Sequence, residues 1–492
     1  MEAGGLERAA GTDVLDTPAA GGLVIRGGVL RTVGYGVGIV LSVAAVAILI
    51  RHLGAADFGR YVTVISLITI VGSLAEAGLT NLGIREYSTL QGEQRDAVMR
   101  NLLGLRLAIS TVGAIAALAF ALAAAYSSEM VAGTAAGGLG LLLLNLQGAY
   151  SVPLSSQLIL GRVAALEVVR NIVQLALTAL LVALGAGLFG FLAIPVPATL
   201  AVLGLTLVWI RGAIPLTPAF DPQVWKSLLR VTASFAVATA VGTLYVYVIV
   251  LVMSLISTED EVGYFGASFR VFVVVASIAG LLVSAAFPVL ARAARDDRAR
   301  LAYALQRLFE VSLIVGAGLA VLAVLGASIA IDVIAGPGFE PAVETLQVQG
   351  AAILASFLLA TWGFGLISLH RHAALLGANA FALVLSIGFS LLLVPEHGAL
   401  GAAITTVIGE TGMAVAYAVA LMRASPELRP GLAVMWKVAL ATAVGLGAGV
   451  AVGGSGVVAV VVAGVVYAGA VLSLRAVPDE LHDFVRRRRP ER

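Results

Sequence analysis

Runs of about 20 apolar residues, nearly free of charge, succeed one another along this chain and decide what it can fold into. "VVAVVVAGVVYAGAVLSL" (457–474) is the purest of them. A helix rises about 1.5 Å per residue, so such a run matches the ~30 Å hydrocarbon core of a bilayer. The runs do not alternate between polar and apolar residues as the ~10-residue strands of a membrane barrel do. Only 12% of the residues are charged and 60% are hydrophobic. Soluble domains carry about 25% charge, so water cannot be the solvent for most of this surface. The fold class that follows is all-α, a polytopic membrane protein.

Fourteen spans are expected, near 29–50, 61–83, 102–125, 131–152, 166–186, 189–210, 231–256, 264–290, 308–334, 347–369, 373–394, 399–422, 433–452 and 457–474. Arginine and lysine fall almost wholly in alternate connections. One set holds Arg8, Arg26, Arg31, Arg85, Arg95, Arg100, Arg162, Arg211, Lys226, Arg230, Arg292, Arg295, Arg298, Arg300, Arg307, Arg371, Arg423, Arg429, Arg475 and the "RRRR" of 486–489. The other holds Arg51 and Arg60 and is otherwise neutral or acidic, as in "STEDEVG" (257–263). The positive-inside rule puts the basic set and both termini in the cytosol of a multi-pass plasma-membrane protein. Two lysines among 30 basic residues suggest a GC-rich prokaryote.

The pattern also repeats. "ADFGRY" (56–61) and "DEVGYF" (260–265) each place an acid, an apolar residue and a glycine before an aromatic entry to the next span. "GLFG" (187–190) and "GALG" (398–401) precede spans six and twelve. Two parallel six-helix lobes follow, an architecture of transporters. The expected organisation is a disordered tail over 1–28, a first lobe over 29–210, a cytosolic linker over 211–230 and a second lobe over 231–422. Two further helices lie within 433–474, and a basic tail over 475–492 suits anionic lipid headgroups.

Several chemistries are excluded. There is no cysteine, so thiol catalysis and thiolate metal sites are ruled out. No phosphate loop of the G-x-x-x-x-G-K-[ST] type occurs, and no H-E-x-x-H. His370 and His372 read as a wetted turn, and neither a cofactor, a metal nor a nucleic-acid partner is indicated. A membrane glycosyltransferase would need carboxylates in a roomy outer loop, and the outer loops are short. No catalytic residue is assigned; the chain reads as a non-enzyme.

An ionisable residue in mid-span costs roughly 2.5–3.5 kcal/mol on insertion, so it faces a cavity or a partner. Arg270, in "YFGASFRVFVV", and Glu410, in "TTVIGETGMAV", are the deepest; they line a cavity or pair with each other. Glu76 lies in the cytosolic half of span two. Arg106, Glu310 and Asp332 are placed near span ends and read as interfacial. Asn145, Asn171 and Gln174 are either interhelical glue, worth about 0.6 kcal/mol each, or part of a hydrophilic cavity.

"RHLGAADFGRYVTVISL" followed by "GLTNLGIREYS" resembles the signature opening of the polysaccharide biosynthesis flippases, the Wzx-like branch of the multidrug/oligosaccharidyl-lipid/polysaccharide exporter superfamily. The matching positions are Arg51, Leu53, Gly54, Phe58, Gly59, Tyr61, Gly78, Leu79, Arg85 and Glu86; Ala55 stands where the family has proline. "AGPGFEPAVETLQVQ" (335–349) resembles the family's outer turn before span ten. The hinge itself reads as structural: Gly54 and Gly59 reverse the chain, and Arg51, Asp57 and Arg60 hold the reversal at the headgroups.

The resemblance implies flipping of a polyprenyl-(pyro)phosphate-linked oligosaccharide to the outer leaflet by alternating access. Cations would meet the phosphate, with Arg270 first and Arg31 at the cytosolic mouth, and Asn145, Asn171 and Gln174 beside the glycan. Glu410 and Glu76 would serve as proton or sodium sites. Two alternatives stand: an ion-coupled multidrug exporter of the same superfamily, and a non-transporting membrane scaffold of a polysaccharide assembly complex.

Overall fold

The computed structural model of the protein describes residues 19–76, 78–211, 214–215, 217–453 and 456–477. Of the expected terminal tails, 1–18 and 478–492 lie outside these residues. Among the described residues every regular element is helical. Lipid offers no hydrogen bonds, so each span must satisfy its own N–H and C=O groups, and a helix does this within one segment.

The first half of the chain forms α1 (Ala19–Glu76), α2 (Leu79–Thr89), α3 (Gly92–Ala123), α4 (Ser128–Tyr150), α5 (Val152–Ser156), α6 (Leu160–Ala183), α7 (Leu188–Ala193), α8 (Pro195–Trp209) and α9 (Pro222–Ile256). The second half forms α10 (Glu259–Asp296), α11 (Arg298–Leu325), α12 (Ala327–Ile334), α13 (Pro341–Ser368), α14 (His372–Ala424), α15 (Met435–Ala451) and α16 (Val457–Ser473). Among the described residues, eleven helical segments are long and apolar enough to cross a membrane. Two of them, Gly36–Thr89 and His372–Ala424, contain two expected spans each, and the 17-residue Val457–Ser473 supplies the last. All fourteen expected spans therefore have helical counterparts.

The chain divides into two compact units. One comprises the chain up to His52 with Val64–Ala240; the other comprises Leu53–Thr63 with the chain from Val241 onward. In the first unit α3 packs on α4, α4 on α8 and α6 on α8. Its core gathers Met99, Leu102, Leu103, Leu154 and Leu166. Residues 217–221 strap onto α3. The Ala219 N–H donates to the Arg100 carbonyl at 2.8 Å, and the Asp221 N–H to Asn101 Oδ1 at 2.9 Å.

In the second unit α13 packs on α10, α11 and α14, and α15 and α16 pack on each other and on α11. Tyr467, on α16, donates to the Ile314 carbonyl at 2.6 Å, so the last two helices are tied in as well as packed.

The expected reversal at residues 51–60 takes a different form. Gly54 alone leaves the helical conformation, at φ 73°, and helix resumes at once. Such a φ is open to glycine at little cost. Gly59 does not turn the chain. It lets α1 cross α10 so closely that a Cβ there would overlap the Glu259 carbonyl, and a Cβ on Gly263 would overlap the Ala55 carbonyl. The two echoing sequences thus meet each other within the second unit, glycine on backbone in both directions. Arg60 secures the crossing by pairing with Asp57 at 3.0 Å and Glu259 at 2.5 Å. Phe339, from the 335–349 turn, lies edge-on to the rings of Phe58 and Tyr264.

The acidic turn 259–261 is consequently more than charge kept from one side of the membrane. Glu259 takes Arg60, and Glu261 Oε2 accepts the Ala399 N–H at 2.6 Å. That bond caps the helix that restarts after Gly398, whose φ is 52°. A carboxylate suits this place because the first N–H groups of a helix lack intrahelical partners.

Candidate functional site

Arg270 lies three turns into α10, with an exposed side chain. Among the described residues it makes no hydrogen bond or ion pair. Its charge reaches Tyr61 on α1. This cation, far along an apolar helix, has no counter-ion among the described residues.

Glu410 does not pair with it. The Glu410 carboxylate is 9% exposed, on α14. Oε1 accepts from Tyr245 of α9 at 2.9 Å, and Oε2 from Ser356 of α13 at 2.6 Å. Three helices therefore converge on one acid through hydroxyl groups alone. Close by, Tyr417 donates to Asn379 Oδ1 at 2.6 Å. Ser386, fully buried, keeps an Oγ with no partner, and a Cβ on Gly409 would lie 2.8 Å from that oxygen and 3.2 Å from the Tyr245 hydroxyl. The result is a small buried polar cluster inside the second unit. It can hold a proton on Glu410 or offer oxygens to a small cation.

The first unit carries a second cluster, centred on Arg106. The sequence placed this residue near a span end, because the apolar run starts at about 102. The helix actually begins at Gly92, so Arg106 sits about four turns in, and it is only 1% exposed. Its Nη1 donates to the Asn145 carbonyl at 3.1 Å and its Nη2 to Thr80 Oγ1 at 2.6 Å. Glu76 Oε1 lies 3.7 Å from Nη2. The signal that could have found Arg106 is the continuity of "GEQRDAVMRNLLGLRL" as one helix, which carries the cation inward.

The expected amides divide. Asn145 is buried and donates to Ser110 Oγ at 2.8 Å, so it ties α4 to α3. Asn171 is partly exposed, donates to the Glu167 carbonyl at 2.9 Å and faces Gly38 of α1. Gln174 is also partly exposed, one turn further along α6, with no hydrogen bond among the described residues. The backbone of Arg31 falls in α1, and its side chain lies outside the described residues.

Glu310 differs from expectation too: it is buried, accepting from Arg307 at 2.7 Å and Gln306 at 2.8 Å. Asp332 is exposed. No group of three or more metal-ligating side chains occurs among the described residues.

Helical spans in this number, packed in two units with charges buried in each, define a multi-pass membrane protein. The chain belongs to the polysaccharide biosynthesis protein family, whose pattern matches residues 48–344. Its fold is similar to that of the lipid II flippase MurJ in an inward closed conformation, with TM-score 0.74 and 13% identity over 91% of this chain and 99% of that one.

It is also similar to a multidrug resistance MATE family transporter of the MOP superfamily in an inward-facing conformation. There the TM-score is 0.63 and the identity 15%, over 81% of this chain and 98% of the other. A MOP superfamily transporter from Pyrococcus furiosus gives TM-score 0.55 and 17% identity, over 82% and 96%. No curated protein matches the chain.

Proposed function

We propose that the protein flips a polyprenyl-(pyro)phosphate-linked oligosaccharide from the cytosolic to the outer leaflet, for cell-surface polysaccharide biosynthesis. The observation that carries this reading is membership of the polysaccharide biosynthesis family over residues 48–344. The fold shared with a lipid flippase supports it. The substrate has an anionic phosphate, a hydrophilic glycan and a lipid tail. Arg270, exposed and without a counter-ion, supplies the charge that meets the phosphate, with Arg31 as a second cation. Asn171 and Gln174, partly exposed on α6, suit hydroxyl-rich sugar, and Asn145 holds the helices behind them. Alternating access by two lobes is the mechanism this architecture supports.

In this reading the membrane is the plasma membrane of a prokaryote, with both termini cytosolic and the basic tail near anionic lipid. The chain has no phosphate loop, so the drive comes from protons, sodium or consumption of product outside. Of the two acids, Glu410 is the better placed for a proton or a cation, because only hydroxyl groups face it. Glu76 faces N–H donors and a guanidinium.

The same buried Glu410 favours one rival, an ion-coupled multidrug exporter, since a mid-membrane acid suits cationic drugs. Drug-efflux complementation in a pump-deficient strain separates the two. A flippase leaves the strain drug-sensitive and moves a pyrophosphate-linked sugar in vesicles. Arg270→Ala abolishes that flipping and Arg270→Lys keeps part of it. Restored drug resistance would overturn the flippase reading, and flipping indifferent to both substitutions would overturn the assignment of Arg270.

A further inference from the structure

The break between α1 and α2 builds a seat for an anion, and Glu76 sits in it. Its Oε2 accepts from the Gly78 N–H at 3.0 Å and its Oε1 from the Thr80 N–H at 3.1 Å. Arg106 Nη2 lies 3.7 Å from the same Oε1. Two N–H groups at the positive end of α2 and one guanidinium thus converge on a single carboxylate.

The arrangement is lopsided. Arg106 is 1% exposed, while Glu76 is 41% exposed. Buried charges normally have every donor matched, yet Arg106 Nε is buried without an acceptor. Its one nearby carboxylate stands beyond hydrogen-bond distance. A buried cation is therefore incompletely neutralised by an acid that solvent already reaches.

A pocket adjoins the seat at Gly78. Gly78 forms part of an open pocket lined by Asn81, Leu82, Arg85, Val231 and Thr232. Arg85 there is 57% exposed, its guanidinium shared only with the adjacent Glu86. Asn81 is exposed, and its amide makes no hydrogen bond among the described residues.

We propose that this seat is an anion-binding site in which a phosphate or pyrophosphate group takes the place of the Glu76 carboxylate. Arg106 is the buried counter-charge, the N–H groups of Gly78 and Thr80 bind oxygen directly, and Arg85 with Asn81 receive the anion at the mouth. Arg270 belongs to the other unit. That the phosphate belongs to a lipid carrier rests on the flippase reading; the existence of the site does not.

The test uses the full chain in phosphatidylcholine nanodiscs, titrated calorimetrically with inorganic pyrophosphate and with geranyl pyrophosphate. Glu76→Gln removes the competing charge and keeps the side chain's shape. It tightens binding about tenfold, the worth of one charge-assisted hydrogen bond. The double variant Glu76→Gln/Arg106→Gln, which leaves no buried charge unpaired, loses that gain. A gain with both probes indicates a site for the phosphate group itself, and a gain confined to geranyl pyrophosphate indicates a lipid headgroup. Glu76→Gln binding no tighter than wild type, or a double variant that keeps the gain, would overturn the proposal.

Because the chain has no cysteine, Asn81→Cys gives a check that leaves Glu76 and Arg106 in place. An anionic methanethiosulfonate reacts there faster than a cationic one, and pyrophosphate slows it. The reverse order, or no slowing, counts against the site. Flipping by wild-type protein is measured separately, so failure of the flippase reading and failure of this site are distinguishable.

Discussion

Single residues carry the polar chemistry inside this protein, and three acidic or basic side chains are buried among the described residues: Arg106, Glu310 and Glu410. Glu410 holds two hydroxyl donors, Tyr245 and Ser356, inside the second unit. Hydrogen bonds between membrane helices are worth about 0.6–1.7 kcal/mol. Tyr245→Phe should therefore destabilise the protein by about 1 kcal/mol, read as a modest drop in detergent-unfolding midpoint. Arg106 is a larger stake. Arg106→Met would remove the hydrogen bonds to the Asn145 carbonyl and Thr80 Oγ1 and the positive charge that faces Glu76, and removing one member of a buried polar set costs about 3 kcal/mol. A midpoint unchanged by Arg106→Met would mean that the buried guanidinium is not holding α2, α3 and α4 together.

At the scale of elements, glycine decides where helices break and how near they pass. Gly54 and Gly398 both take positive φ, but their surroundings differ. Nothing lies within 4 Å of a Cβ on Gly54, whereas a Cβ on Gly398 would strike the Glu261 carboxylate that caps the following helix. Gly54→Ala should cost only the positive-φ extended backbone, about 1–3 kcal/mol. Gly398→Ala should cost that and the cap, about 1 kcal/mol more. Gly263→Val is the severer change, because the atom it meets is a backbone carbonyl that cannot step aside. Over-packing of about 1–3 kcal/mol is its minimum, and thermal midpoints of the three variants should fall in that order.

The helices themselves were legible in the sequence, since each apolar run of bilayer length must become one in lipid. The crossing of residues 55–59 with 259–263 was legible only as an echo between two motifs. What the echo does, bringing glycine against backbone, depends on contacts some 200 residues apart. Arg106 was misplaced because hydropathy marks where a run becomes apolar. The helix began earlier, through polar residues that periodicity alone would have joined to it. The partners of Glu410 were illegible, as Tyr245, Ser356 and Glu410 come from three separate spans with nothing local to link them.

For the whole molecule, the proposed fourteen-span topology has both chain ends on one side of the membrane and the acidic 259–261 turn on the other. Cysteine introduced at Asp260 should be labelled by an impermeant reagent only from outside the cell, and cysteine at Arg295 only after permeabilisation. Labelling of both from one side would break the fourteen-span topology. The central claim is that this chain moves a lipid-linked glycan, and the direct measurement is a flip assay in vesicles with purified wild-type protein. With a polyprenyl-pyrophosphate-linked sugar on one leaflet, the protein should make the sugar accessible from the other, while leaving a cationic drug where it was. A correctly folded protein that moves the drug, or that moves no polyprenyl-linked sugar presented to it, would contradict the account.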